Sequence, residues 1–187
     1  MASEEAVLRA LYEPRSTEAV AAANRLMDHY LELAGVSVTG VYTTEGRILA
    51  TYSGGHAFLG RDLSFRPYIR NALKGRGFKY LAFGHNEKQR GYYAATPIRD
   101  RDGRIVGVGM VKKEIQEDLV GLDKTRHAFF VSPDGVIFLS SIPDFLYRSL
   151  EPIPENKMRE LLNSKQFGNQ PLEPLSIELR PEAGEAV

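Results

Sequence analysis

The chain has 187 residues, of which 43% are hydrophobic and 26% charged, a composition typical of a globular protein and not of a disordered or fibrous one. Lysine plus arginine and aspartate plus glutamate each number 24, with no long run of one sign, so neither nucleic acid nor an anionic membrane surface is an expected partner. The absence of cysteine excludes a disulfide, a thiol nucleophile and a cysteine-based zinc site.

The first predicted element is a long amphipathic helix over residues 16–34. Apolar residues recur there at spacings of three and four, and Ser16 or Thr17 is placed to cap the first turn. Gly35 follows where a C-terminal cap belongs. Residues 1–35 are therefore predicted to form an N-terminal segment with one long helix.

Strand-like segments dominate the next 80 or so residues, which contain only one short helical pattern. The helical part of that pattern, within residues 63–74, is confined to Pro67 and beyond. The predicted strands are a hairpin over 36–52 and single strands at 79–84, 91–98 and 105–111. Together they predict a five-stranded antiparallel sheet with helices on one face, an α+β fold.

A second module is predicted after the first sheet. Residues 129–140 repeat the plan of residues 42–51, a strand, an acidic-glycine turn and another strand. A helix is predicted over 155–164, and beyond it only residues 172–179 are capable of adding a strand. The second module is therefore expected to be truncated, and residues 181–187 to be frayed.

Three motifs identify a family. The sequences FLGRDLSFRPY at 58–68, RGYY at 90–93 and IVGVGMVK at 105–112 follow the helix and hairpin in an order that resembles the double-Cache sensor domains, in particular those of C4-dicarboxylate sensor histidine kinases. Residues 130–141 and 147–150 extend this resemblance over nearly the whole chain.

The resemblance implies two tandem PAS-like modules outside the membrane, supported by a long helix. Residues 36–118 would be the membrane-distal, ligand-binding module and residues 119–187 the membrane-proximal, incomplete one. It further implies a periplasmic domain of a membrane-anchored receptor, a homodimer through the N-terminal helix, and a small carboxylate ligand whose binding rearranges that helix. No run in the chain approaches the roughly 20 apolar residues of a membrane-spanning helix, so the parent's spanning helices would lie outside these residues.

Arg66 is the first candidate ligand residue, because a planar guanidinium matches a carboxylate through two parallel hydrogen bonds. Tyr68 can donate to the same anion, and Pro67 stiffens the backbone between them. Composition alone favours a surface position for Arg66, whereas the resemblance favours a ligand role. Strand alternation places Lys112 on a core face, although a slip of one residue would exchange it with Lys113.

The other ligand residues are implied by the resemblance alone. Ala95 stands where the dicarboxylate sensors commonly have a serine, and His85 stands where hydroxyl residues are usual. The ligand class is thus better determined than the ligand itself. The remaining candidates are Ser64, Gly84 and Tyr93.

Catalysis and metal binding have no candidate residues. His29, His56 and His127 are far apart with no metal-ligand spacing, and the chain has no nucleophile elbow, phosphate loop or zinc-protease motif. No cofactor is predicted. Three alternatives remain: the same domain on a chemoreceptor or a diguanylate cyclase, a cytoplasmic PAS module that holds haem or flavin, and an enzyme with a carboxylate substrate.

Overall fold

The fold is that of a computed structural model, which describes residues 2–84, 89–115 and 128–175. Its helices are α1 (Ala2–Tyr12), α2 (Thr17–Ala34), α3 (Pro67–Leu73) and α4 (Glu155–Ser164). Its strands are β1 (Val38–Tyr42), β2 (Ile48–Thr51), β3 (Phe78–Phe83), β4 (Arg90–Arg99), β5 (Ile105–Glu114), β6 (Phe129–Val131) and β7 (Ile137–Ser140). Short 3-10 helices cover Ser53–Phe58 and Pro143–Phe145.

The N-terminal segment contains two helices, not the single long helix predicted for residues 1–35. Helix α2 has the predicted caps: the Ser16 hydroxyl accepts a hydrogen bond from the Ala19 amide at 3.2 Å, and Gly35 ends the helix with φ 56°. Helix α1 is separate because Pro14 has no amide hydrogen and interrupts the helical ladder between them. Val7 of α1 packs with residues of α2 in one apolar cluster.

The five-stranded sheet has the order β2-β1-β5-β4-β3, with antiparallel neighbours throughout. This confirms the predicted α+β class. Helix α3 packs on one face of the sheet, and α1 and α2 pack on the other. The expectation of helices on one face was wrong, because all five residues of the β1 strand are buried and a strand buried on both sides needs cover on both sides.

The second module is smaller. Strands β6 and β7 form a two-stranded sheet, and α4 covers the same residues that the sequence predicted. Its apolar core comprises Val136, Phe138, Leu139, Leu161, Phe167 and Leu172. Of the strand predicted over 172–179, the described residues contain a bridge from Ser149 to Pro174, while residues 176–179 lie outside the described part, as do 181–187.

Residues 116–127, between the two sheets, also lie outside the described part. The predicted division at 118/119 therefore stays a prediction. No helix within the described ranges is both long and apolar enough to span a membrane.

We expect Gly107→Ala to lower the free energy of unfolding by about 1–3 kcal/mol, the usual cost of overpacking. A Cβ atom on Gly107 would lie 2.6 Å from the Tyr42 carbonyl oxygen and 2.7 Å from Leu11 of α1. Gly109 on the same strand face is a matched control, because its nearest contact would be 3.8 Å away. Gly109→Ala should change stability by less than about 1 kcal/mol in urea denaturation. Equal stability of the two variants would contradict this close packing of α1 on β5.

Candidate functional site

Arg66 lies immediately before α3 and is buried, with 1% of its surface exposed. Its backbone is extended, as the residue before a proline usually is. Nη1 donates to the carbonyl oxygens of Ser164 at 3.1 Å and Lys165 at 2.8 Å, and Nη2 donates to the Phe83 carbonyl at 2.8 Å. Arg66 is therefore not a surface arginine, and its guanidinium lies where α3, β3 and α4 meet.

Aromatic rings surround this guanidinium. Tyr68 of α3 and Tyr93 of β4 stack with ring centroids 5.3 Å apart and an interplanar angle of 15°. The Arg66 Cζ atom is 5.9 Å from the Tyr68 ring and 5.8 Å from the Tyr93 ring. Lys112 Nζ is also 5.8 Å from the centroid of Tyr93, so the two cations contact the same ring. The structure thus brings together four of the predicted ligand residues, Arg66, Tyr68, Tyr93 and Lys112.

Lys112 occupies the predicted core face of β5. It is 1% exposed and lies opposite Tyr93 on one neighbouring strand and Val38 on the other. Gly91 leaves room for its aliphatic stem, since a Cβ atom there would be 2.7 Å from the Lys112 Cε atom. Lys113 is on the opposite face, exposed, and donates to the Gly35 carbonyl oxygen. The alternative register that exchanges the two lysines is therefore wrong.

Two buried polar groups in this cluster have no hydrogen-bond partner among the described residues: Nε of Arg66 and the hydroxyl of Tyr80. A buried polar group without a partner costs free energy, so native structures seldom leave one unsatisfied. The Tyr80 ring lies 5.7 Å from that of Tyr68 and 5.9 Å from that of Tyr93. The cluster therefore offers two additional donors to an anion.

Sequence reasoning missed Tyr80, because a tyrosine in an apolar strand resembles any core aromatic. The signal was available in the pairing of strands. Tyr80 pairs directly with Tyr93, so the two side chains share a face of the sheet. Register between β3 and β4 was the information that the sequence pattern lacked.

The electrostatics of the cluster favour a negatively charged ligand. Burial opposes the charge of Arg66, but the phenol groups of Tyr80, Tyr68 and Tyr93 outweigh it, and the pKa of Arg66 lies above its usual value. Burial also raises the pKa of the Tyr80 phenol far above its usual value, with the charge of Arg66 acting in the opposite direction. Arg66 is therefore cationic and Tyr80 protonated at neutral pH.

The remaining predicted ligand residues differ in their positions. Ala95 is buried in the same core as Tyr93, and Gly84 is buried at the end of β3. Ser64 lies against Gly46 and its amide donates to the Asp62 carboxylate at 2.8 Å, so its role as a ligand residue stays a prediction. His85 lies outside the described residues.

A groove of about 930 Å³ lies on the opposite face of the sheet, beside α1 and α2. Its walls are almost wholly apolar, and of its lining residues only Glu4 and Lys79 are charged. A carboxylate would lose its hydration there without gaining a buried cation. We therefore place the candidate site at the Arg66 cluster. Within the described part of the chain, no group of three or more histidine, aspartate or glutamate residues is arranged to hold a metal ion.

Comparison with known proteins confirms the resemblance predicted from the sequence. The C4-dicarboxylate transport sensor protein DctB of Pseudomonas aeruginosa is 27% identical over 177 residues, which cover 92% of this chain and 29% of that protein. The protein of the same name from Rhizobium meliloti is 28% identical over 132 residues, 67% of this chain and 21% of that protein. The chain thus spans less than a third of the length of these relatives. No family model matches it.

Solved structures show the same fold. The sensor domain of the Vibrio cholerae histidine kinase DctB superposes with a TM-score of 0.80 at 25% identity, covering 91% of this chain and 67% of that one. The ligand-binding domain of the Campylobacter jejuni chemoreceptor Tlp3, in complex with L-valine, gives 0.55 at 19% identity, covering 86% and 68%. The DctB structure is a sensor domain and not a catalytic one.

We expect the free energy of unfolding to fall as the pH rises above about 10, because the unfolded phenol of Tyr80 then ionises while the folded one stays protonated. The stability that the raised pKa confers is complete below the unfolded pKa and is lost at higher pH. Tyr80→Phe should remove part of this decline when urea denaturation at about pH 8 and about pH 11 is compared.

Tyr92→Phe is the control for this measurement, since Tyr92 is an exposed tyrosine of the neighbouring strand β4. In the Tyr92→Phe variant, the free energy of unfolding should fall with rising pH as much as it does in the unmodified chain. At neutral pH, Tyr80→Phe should cost less than about 1 kcal/mol, because the hydroxyl it removes has no partner among the described residues. The same decline in both variants would contradict a buried, protonated Tyr80.

Proposed function

We propose that this chain, a PAS-like sensor domain related in sequence and fold to the DctB sensor domains, is the extracytoplasmic part of a membrane-anchored sensor histidine kinase. The match over 92% of the chain to one DctB protein and the TM-score of 0.80 to another support this proposal. The parent gene should encode spanning segments on both sides of the domain and a kinase module after it. A methyl-accepting or cyclase module in that place would instead favour a chemoreceptor or a diguanylate cyclase.

The proposed ligand is a small carboxylate, with C4-dicarboxylates as the first class to test because the relatives are named as sensors in C4-dicarboxylate transport. The observation that carries the proposal is the buried cluster in which Arg66 and Lys112 each lie 5.8 Å from the centroid of the Tyr93 ring, beside two donors that have no partner among the described residues. Two cations in one enclosed cluster suit a ligand with two anionic ends.

Each residue has a proposed role. The Nε edge of the Arg66 guanidinium would bind one carboxylate through two parallel hydrogen bonds, and the Lys112 ammonium would bind the other. The hydroxyl of Tyr80 would donate to the ligand and supply the hydrogen bond that Ala95 cannot. The stacked ring of Tyr93 would form an apolar wall that excludes water and strengthens these interactions.

Signal transmission would follow from unequal affinity. A ligand that binds one arrangement of the domain more tightly shifts the population towards that arrangement, by as much as the difference in binding free energy. The ligand cluster and α2 lie on opposite faces of the same sheet, with Thr39 of β1 donating to the Met27 carbonyl oxygen of α2 at 2.8 Å. The sheet therefore connects the site to the helix proposed to move.

We expect succinate to bind the unmodified chain in isothermal titration calorimetry, and Arg66→Ala or Lys112→Met to weaken it by roughly 30-fold or more, the cost of truncating one member of a buried charged pair. Lys112→Met keeps the length of the stem and removes only the charge. Arg76→Ala and Lys113→Met are matched controls, because Arg76 is exposed just after α3 and Lys113 is exposed on the opposite sheet face.

The controls should bind succinate like the unmodified chain. Arg66→Ala also removes three hydrogen bonds to carbonyls, so circular dichroism must show that it is folded before its affinity is interpreted. If Arg66→Ala and Lys112→Met both bind succinate as tightly as the unmodified chain does, or if no mono- or dicarboxylate binds the unmodified chain, the proposed site is contradicted.

We also propose that the domain forms a homodimer through α2. Leu33 is 71% exposed and Tyr30 is 38% exposed near the end of that helix, which leaves apolar surface available to a second copy. In sedimentation velocity, the unmodified chain should associate as its concentration rises, and Leu33→Glu should prevent this. Leu162→Glu, at an exposed leucine of α4, is the control and should still associate. A monomer at all concentrations would contradict the dimer.

A further inference from the structure

Arg66 contacts both modules. It precedes α3 in the first module, yet Nη1 donates two hydrogen bonds to carbonyl oxygens at the C-terminal end of α4, those of Ser164 and Lys165. The last carbonyls of a helix have no partner within the helix and bear a partial negative charge, which attracts a guanidinium. The arginine best placed for a carboxylate ligand therefore also holds the second module.

The residues that follow α4 lie against the first sheet. We call residues 164–168 the α4 exit segment. Its Gln166 carbonyl accepts from the Phe83 amide at 2.7 Å, and the Gln166 side-chain amide donates to the Leu81 carbonyl at 3.2 Å. Lys165 Nζ lies 5.6 Å from the centroid of the Phe65 ring. The α4 exit segment is thus docked on β3 and on the residues beside Arg66.

One guanidinium has enough donors for both tasks. It presents five N–H groups, of which the three carbonyl oxygens of Ser164, Lys165 and Phe83 take three. The remaining donors are Nε–H, which has no partner among the described residues, and one hydrogen of Nη2, which a carboxylate would share with the Tyr68 hydroxyl that also hydrogen-bonds to this side chain. A carboxylate needs two donors, so it can bind Arg66 without displacing the α4 exit segment.

We propose that Arg66 couples the ligand to the second module: the same guanidinium binds the carboxylate and the carbonyl oxygens of α4, so that occupancy of the ligand site tightens the docking of the α4 exit segment. This inference rests on the proposed function and adds the regulation of that site. The coupling is reciprocal, because whatever strengthens docking must equally strengthen ligand binding.

The test is amide hydrogen exchange of the chain with and without saturating succinate, after calorimetry has established binding. Succinate should slow exchange at the amides of Gln166, Gly168 and Phe83 by about fivefold or more beyond any change at Met158, in the first turn of α4. The Met158 amide bonds to the Pro154 carbonyl and serves as the internal reference for overall stabilisation of the fold.

Variants separate the coupling from binding itself. Gln166→Ala removes the bond to the Leu81 carbonyl and should weaken succinate binding severalfold, although Gln166 is not in the proposed ligand cluster. Arg159→Ala, at an exposed residue of α4, is the control and should leave the affinity unchanged. Arg66→Lys offers a point charge in place of the fork, so the exit segment should no longer respond to succinate.

The outcomes are distinct. Succinate binding with no selective change at the α4 exit segment would overturn the coupling and leave the ligand site standing. Faster exchange there would show that the ligand displaces the carbonyls from Arg66, which also overturns a shared guanidinium. If succinate fails to bind, the proposed dicarboxylate site and the coupling that rests on it are both wrong.

Discussion

The buried guanidinium of Arg66 is the constraint on which the rest of the site depends. A charge removed from water is tolerated only where fixed dipoles or opposite charges surround it. Here three carbonyl oxygens, from β3 and from the end of α4, supply those dipoles. Because the carbonyls lie in two modules, the cost of burying one side chain can be met only when both modules are in place.

The tyrosines around Arg66 form the rest of the environment of its buried charge. Tyr68 and Tyr93 stack in the core beside the guanidinium, while Tyr80 brings a hydroxyl into the same enclosed region. Such an environment has a low effective dielectric constant, which strengthens a hydrogen bond to a charged ligand and makes an unpaired polar group costly. A site that is unfavourable when incompletely paired is well suited to sense a ligand.

Prediction from the sequence succeeded where the responsible interactions are local. The caps of α2, the turns of the hairpins and the alternation of β5 involve residues within a few positions of each other, so their signals survive in a single sequence. It missed α1, the separate helix that precedes Pro14. It also failed to predict helices on both faces of the sheet, because the burial of a strand depends on elements that are distant in the chain. The ligand role of Ser64 stays a prediction, because the contacts that the structure gives it are with Asp62 and Gly46 in a turn.

The sequence by itself therefore determined the fold class, the positions of most strands, the family resemblance and the identity of Arg66 and Lys112 as ligand candidates. Alternation with a period of two predicted Lys112 on the core face, and the strand register of the structure then excluded the exchange with Lys113. Only the tertiary structure decided that Tyr80 joins them and that Arg66 bonds to α4, 98 residues away in the chain. Contacts of that separation depend on strand register and module packing, which local residue patterns do not encode.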